Sequence, residues 1–222
     1  MNGIVIRSYW REDCPGVRLI YGMDEFARPE LQRRFPRMQD YLADSMAHYY
    51  EREPESTFVA LVDGRVVGAL LGAVDTRRCE REYEPRTRRL LWVRALTGKY
   101  GWPVWWWPDL LTEWAGRQVV RPPLDLERFP AHLHVGLLPA WRRMGIGTRL
   151  TQAYEASVRD RGIPGYHLYA ASFHPLGVAF YRKSGMEVLG SFEWRFHDGF
   201  RWQAATETIF GRRLVKTEKD CT

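Results

Sequence analysis

Apolar and polar positions alternate in two short runs, Thr57 to Val62 and Arg65 to Val74, on either side of Asp63-Gly64. A period of two marks strands, and Asp-Gly between two such runs predicts a hairpin, because both turn residues must take positive φ. Ile4 to Arg7 reads as a short strand ahead of them. Val17 to Phe26 and Pro29 to Glu53 are helical in pattern, the second with a break near Pro36. Further on, Ile146, Leu150, Tyr154 and Val158 recur every four residues, which predicts the core face of a helix ended by Gly162 and Pro164. Strands are predicted on both sides of it, at Ala131 to Leu138 and Tyr166 to Ala170. A short helix over Pro175 to Lys183, closed by Gly185, leads to a strand from Met186 to Phe192. Thr206 to Leu214 reads as a last strand, after a loop around Asp198-Gly199.

Between Asp75 and Pro130 the pattern fails. Seven arginines from Arg77 to Arg94 interleave with Glu80, Glu82 and Glu84, and six of the ten tryptophans follow between Trp92 and Trp114. A structureless loop of this length is uncommon inside a compact domain. Residues 76–129 are therefore expected to form a partly helical insertion, placed between the third and fourth strands of one domain spanning 1–222.

Composition narrows the setting. A chain of 222 residues with 45% apolar content can bury a proper core. No apolar run approaches the roughly 20 residues that a membrane span needs, and the N-terminus does not read as a signal peptide. Cys14, Cys79 and Cys221 are scattered, without disulfide or metal spacing, which points to a cytoplasmic setting. The net charge of +6 suits a polyanionic ligand. Basic residues are mixed with acids instead of forming one stripe, which argues against nucleic acid as the partner.

Candidate chemistry lies around the fourth strand. Arg142-Arg143-Met144-Gly145-Ile146-Gly147-Thr148 stands where that strand gives way to a helix. Glycines there let the backbone approach a ligand, and a helix N-terminus offers unpaired N–H groups to a phosphate. His132 and His134 are two apart on a strand and so face the same side. Histidine titrates near neutrality and is a good proton acceptor; packing within the sheet is the plainer role for either ring. A metal site at His132 and His134 lacks a third ligand nearby, so no metal is expected.

The glycine run resembles the acyl-CoA pyrophosphate loop of the GNAT acetyltransferases, [RQ]-x-x-G-x-[GA]. Val178-Ala179-Phe180-Tyr181-Arg182-Lys183-Ser184-Gly185-Met186 is similar to a second segment of that family, A-x-x-[FLY]-Y-x-[KR]-x-G-F. The bacterial members related to the acetyltransferase-like domain of O-GlcNAcase read most similarly, through Ala-His-Leu-His, Leu-Leu-Pro and Gly-Ile-Gly. The resemblance implies an α/β GNAT fold, with a mixed, mostly antiparallel sheet whose fourth and fifth strands splay around the cofactor. It implies acetyl-CoA held by Arg142, Arg143, Met144, Gly145, Ile146, Gly147 and Thr148, and an oxyanion-stabilising backbone N–H near Leu137 or Leu138. Gly136 is the expected bulge of the fourth strand. Tyr181 aligns with the family tyrosine that often lies near the cofactor sulfur, where a protonated phenol can donate to the departing thiolate, with a core aromatic beside Phe180 as the alternative. The two histidines resemble the proton relay of the arylalkylamine acetyltransferases. His174 stands where the family often has an Asn that contacts the cofactor.

The acceptor is expected to be a small-molecule or peptide amine. Trp105 and Trp106, in the insertion, are candidates for an aromatic wall around it; a hydrophobic packing unit or a homodimer contact is the alternative. The rival to an N-acetyltransferase is a catalytically silent acyl-CoA-binding or scaffold domain of the same fold.

Overall fold

The computed structural model describes residues 3–23, 37–101, 119–197 and 201–214. Its strands are β1 (Val5–Ser8), β2 (Phe58–Val62), β3 (Arg65–Ala73), β4 (Ala131–Leu137), β5 (Gly165–Ala171), β6 (Glu187–His197) and β7 (Trp202–Arg213). They form one sheet in the order β1-β2-β3-β4-β5-β7-β6. Every neighbouring pair is antiparallel except β4 with β5. Asp63 and Gly64 take φ of 48° and 75°, the two positive values that a tight hairpin between β2 and β3 requires.

Helices cover both faces. On one lie α1 (Cys14–Gly22), α2 (Met38–Ser45) and α3 (Ala47–Arg52); a helical turn (Thr76–Arg78), a π turn (Cys79–Tyr83) and α4 (Glu84–Leu96) follow β3. On the other lie α5 (Ile146–Asp160) and α6 (Pro175–Lys183). The four-residue recurrence in α5 is the buried stripe: Ile146, Leu150 and Tyr154 are 0% exposed and Val158 1%. Each such side chain contributes about 1.5–3 kcal/mol of apolar burial. The break in the second helical region falls at Met46, between α2 and α3; the one expected near Pro36 lies outside the described residues.

Several expectations change. β4 pairs with β3 in unbroken register from His132 to Leu137, so Gly136 is not a bulge. A Cβ there would meet Ile20 Cγ2 at 2.6 Å and the Tyr21 ring at 3.4 Å, so the glycine admits the close approach of α1. β6 runs on to His197 and β7 begins at Trp202, which makes one long antiparallel pair. Glu193-Trp194-Arg195-Phe196 already alternates in the way a strand does.

Two polar anchors tie the helical layer down. The Asp44 carboxylate, 2% exposed, accepts from Arg18 at 2.7 Å, from Lys99 at 2.8 Å and from the Tyr100 hydroxyl at 2.6 Å, with Arg94 at 2.8 Å. At the base of the insertion, the N–H and hydroxyl of Thr76 both reach the Pro130 carbonyl, at 2.8 and 2.7 Å. The segment between β3 and β4 thus leaves and returns at one point.

Candidate active site

β4 and β5 pair only at their beginnings, Ala131 with Tyr166 and His132 with His167. Beyond that the parallel strands part, with β3 on one side and β7 on the other. The Leu138 N–H donates to the Val67 carbonyl at 2.9 Å and is committed to β3. N–H groups alternate between the two edges of an antiparallel strand, so those of Val135 and Leu137 face the opening. Of the two residues that sequence reasoning offered as the oxyanion donor, only Leu137 presents its N–H there.

The glycine run closes the strand into α5. Arg143 takes φ of 63° and Gly145 φ of 76°, both left-handed. Gly145 is the N-cap of α5 and has no side chain to satisfy the first turn; no acid stands in that turn. A Cβ on Gly145 would meet nothing within 4 Å, and one on Gly147 only Leu137 and Phe180, at 3.8 Å. The N–H groups of Ile146, Gly147 and Thr148 therefore point out of a helix end of 15 residues into open space. Ile146 contributes through its backbone, since its side chain is in the core, while Met144 is exposed. Arg142 turns back and donates to the Leu137 carbonyl at 3.2 Å, which braces the turn.

His132 and His134 share a face, as their spacing requires, and one hydroxyl joins them. Tyr49 Oη lies 2.8 Å from His132 Nε2 and 3.0 Å from His134 Nε2. His132 Nδ1 is 2.7 Å from Thr76 Oγ1, whose other neighbour is the Pro130 carbonyl. A carbonyl can only accept. When Thr76 donates to it, His132 Nδ1–H donates to Thr76 and His132 Nε2 accepts from Tyr49. The Tyr49 oxygen then accepts from His134 Nε2–H, and His134 Nδ1 carries a lone pair. Reversing the chain moves each proton by one bond. Burial, reinforced by His48 and His167, lowers His134 to about 4. Burial also lowers His132 well below its ordinary value, with His134 and His167 adding to it. Both rings are neutral at pH 7 and weaker bases than a free imidazole.

Tyr181 sits on α6 between Phe180 and Phe210, with ring centroids at 5.1 and 5.6 Å. Burial pushes its phenol up to about 12, so it keeps its proton at neutral pH. His174 is the N-cap of α6; its carbonyl receives the Gly177 and Val178 N–H groups and its ring packs on Phe173. Trp105 and Trp106 lie outside the described residues. Sequence reasoning missed Tyr49, Tyr21 and Thr76. The Tyr21 hydroxyl reaches the His134 carbonyl at 2.8 Å and the Ala69 carbonyl at 3.1 Å, on the backbone of the parted strand. Among the described residues, no group of three or more His, Cys, Asp or Glu is placed to hold a metal. Nor, among them, is any helix long and apolar enough to cross a membrane.

Parted parallel strands thus stand beside a glycine helix entry, and two neutral histidines share one face of the first of them. The family model of the GNAT acetyltransferases matches residues 20–186, and the chain belongs to that family of acyltransferases. Solved structures agree on the fold. SsHAT superposes with a TM-score of 0.64 at 23% identity, over 96% of this chain and 100% of its own. The yncA protein of Salmonella typhimurium, solved with its cofactor acetyl-CoA, gives 0.59 at 14% identity, over 97% and 96%. Ard1 from Thermoplasma volcanium gives 0.56 at 15% identity, over 96% and 99%.

Proposed function

We propose that the chain is an acetyl-CoA-dependent N-acetyltransferase in which an acceptor amine attacks directly within a ternary complex. The observation that carries this reading is the alignment of the parted β4/β5 pair with the open N-terminus of α5. The residues fit the cofactor: positive φ at Arg143 and Gly145, and open space where a Cβ would stand at Gly145. Backbone N–H groups of Arg143, Gly145, Ile146, Gly147 and Thr148 would hold the pyrophosphate, with Arg142 bracing the turn and Met144 at its rim. His174, at the entry of α6, would add a further contact. When bound, acetyl-CoA supplies the thioester carbon that the amine attacks.

The rest falls to this chain. An alkylamine, with a pKa of about 10.4, arrives mostly protonated. The small neutral fraction attacks; His134 takes the proton that the nitrogen sheds as the C–N bond forms, and Tyr49 and His132 pass charge away from the gap toward Thr76. The Leu137 N–H can donate to the carbonyl oxygen, and Tyr181 to the departing sulfur. Tyr49→Phe breaks the bridge between the two imidazoles and keeps the ring. Turnover is expected to fall by at least about tenfold, within the usual span of proton-transfer effects. Unchanged turnover in a folded variant, with chemistry limiting the rate, would remove the relay from the mechanism.

The reading is tested at the loop. Gly145→Asp forces a side chain onto a φ of 76° and sets a negative charge at the helix end. Calorimetry should show acetyl-CoA affinity falling at least about tenfold, roughly 1.4 kcal/mol. A folded variant with unchanged affinity would overturn the loop assignment. Retained binding in the native chain, with no thiol released on any amine, would instead identify a silent acyl-CoA-binding domain. The Ala131-His132-Leu133-His134, Leu137-Leu138-Pro139 and Gly145-Ile146-Gly147 runs support a place near the bacterial members resembling the O-GlcNAcase domain. The insertion, with Trp105 and Trp106, would shape the acceptor side.

A further inference from the structure

The sheet ends on two unequal edges. β1, at one side, has four residues; β6, at the other, has eleven and no proline. A long edge strand offers unpaired N–H and C=O groups to another chain, and proteins blunt such edges by shortening, proline or charge. No described strand pairs with the outer edge of β6. β6 and β7 also outrun the sheet. β5 ends at Ala171, opposite Glu207, so among the described strands β7 has only β6 beside it from Trp202 to Thr206. A two-stranded ribbon of this kind is marginally stable on its own in water.

The hydrogen bonds of Thr206 fix which backbone groups of β6 point outward. The Ser172 N–H donates to the Thr206 carbonyl at 2.8 Å, and the Thr206 N–H donates to the Ser172 hydroxyl at 3.0 Å, so Thr206 faces away from β6. Residues opposite one another in an antiparallel pair either face each other or both face away. Glu193 is opposite Thr206, so its N–H and C=O point out of the sheet edge. Those of Ser191, Arg195 and His197 do the same by alternation, since the register with β7 is unbroken from Gly190 to His197. The side chains of Glu193 and Arg195 share one face and are exposed. Neither has an ion pair among the described residues; Arg195 lies 5.9 Å from the Trp202 ring centre. Phe192, Trp194 and Phe196 take the other face, where Arg121 and Pro122 lie near Phe192 and Gly190.

A second copy of the chain fits this edge in one register. A two-fold axis sets residue i opposite j and j opposite i, as an antiparallel pair does. An axis through Glu193 would oppose two carboxylates, and one through Arg195 two guanidinium groups. An axis at Trp194, the middle of the stretch from Ser191 to His197, sets Glu193 against Arg195 on both sides and Ser191 against His197. In each of these pairs the outward groups of both residues meet and exchange their N–H···O bonds. Opposite charges directly across a pair are favourable and like charges destabilising. We propose that β6 is the interface of a homodimer, in which two copies join edge to edge about a two-fold axis at Trp194 and form one continuous sheet. This is independent of the transferase reading.

Sedimentation equilibrium on the full chain tests it. The native protein should be dimeric at about 100 μM, well above a micromolar dissociation constant. Glu193→Arg and Arg195→Glu each set like charges opposite one another, and each should raise the dimer dissociation constant at least about tenfold. The double variant, Glu193→Arg with Arg195→Glu, reverses both charges and restores unlike pairs about the same axis. Its constant should return to within about threefold of the native value, the sign of direct coupling between the two positions. Both positions are exposed, and circular dichroism checks that all three variants fold. A native chain that stays monomeric, single variants that dimerise as the native chain does, or a double variant no tighter than the singles would each overturn the proposal.

Discussion

Tyr181→Phe should lower turnover by about 10²–10⁴-fold while leaving acetyl-CoA affinity largely unchanged. The substitution keeps the ring between Phe180 and Phe210 and removes only the hydroxyl. That hydroxyl is fit for one direction of proton transfer. Burial holds it at about 12, so it stays protonated and has a proton to give. A thiolate leaving without a donor must depart as the free anion into a water-poor gap, which raises the barrier. Stopped-flow measurement of thiol release, under conditions where chemistry limits the rate, gives the comparison. Wild-type turnover would exclude Tyr181 as the acid, and a loss of cofactor affinity alone would make it a packing residue.

Asp44→Asn should destabilise the fold by about 3–5 kcal/mol, the range for removing one partner of a buried charge cluster. Asparagine keeps the shape but leaves Arg18, Arg94 and Lys99 without a counter-charge. Burial alone would raise the Asp44 carboxyl; the bonds from Lys99, Tyr100 and Arg18 outweigh it and hold the group at about 2, below its ordinary 3.8. A lowered acid stabilises the folded form at the higher pH. This contribution is complete above about pH 4 and fades as pH falls toward 2. Urea titrations of both proteins at pH 7 and pH 3 would show the gap narrowing on acidification. A difference below about 1 kcal/mol at pH 7 would reduce the cluster to ordinary surface pairing.

The parts of this molecule that could be read from the chain are those set by local rules. The stripe from Ile146 to Val158, the Asp63-Gly64 turn and the shared face of His132 and His134 each follow from the period of one element. What could not be read depends on distant partners. Tyr49 bridges the histidines from 83 positions away, and nothing in Ala47–Arg52 distinguishes it from a core aromatic such as Tyr50. Leu138 offers its N–H to Val67, a choice made by β3 rather than β4. Gly136 looks like a bulge along its own strand and proves to be a berth for Ile20 and Tyr21 of α1. Glu207 stands between Ala171 and Phe192 only because of the order β5-β7-β6, which no period along β7 reveals.

The Thr76–Pro130 contact has a consequence for how this architecture can diverge. Ala73 and His132 are already cross-strand neighbours, so the chain between β3 and β4 starts and ends at one place whatever its length. Closing such a loop costs only about 0.6 kcal/mol more for each doubling of its length. The segment can therefore vary in length at little loop-closure cost, while Arg94, Lys99 and Tyr100 tie it to Asp44 and Cys79 and Tyr83 pack into the core beneath it. Thr76 is a further tie: its hydroxyl also reaches His132, one of the two histidines of the proposed relay. In the proposed transferase, a change of length in this segment would alter the acceptor side, while Thr76 would stay bonded to His132.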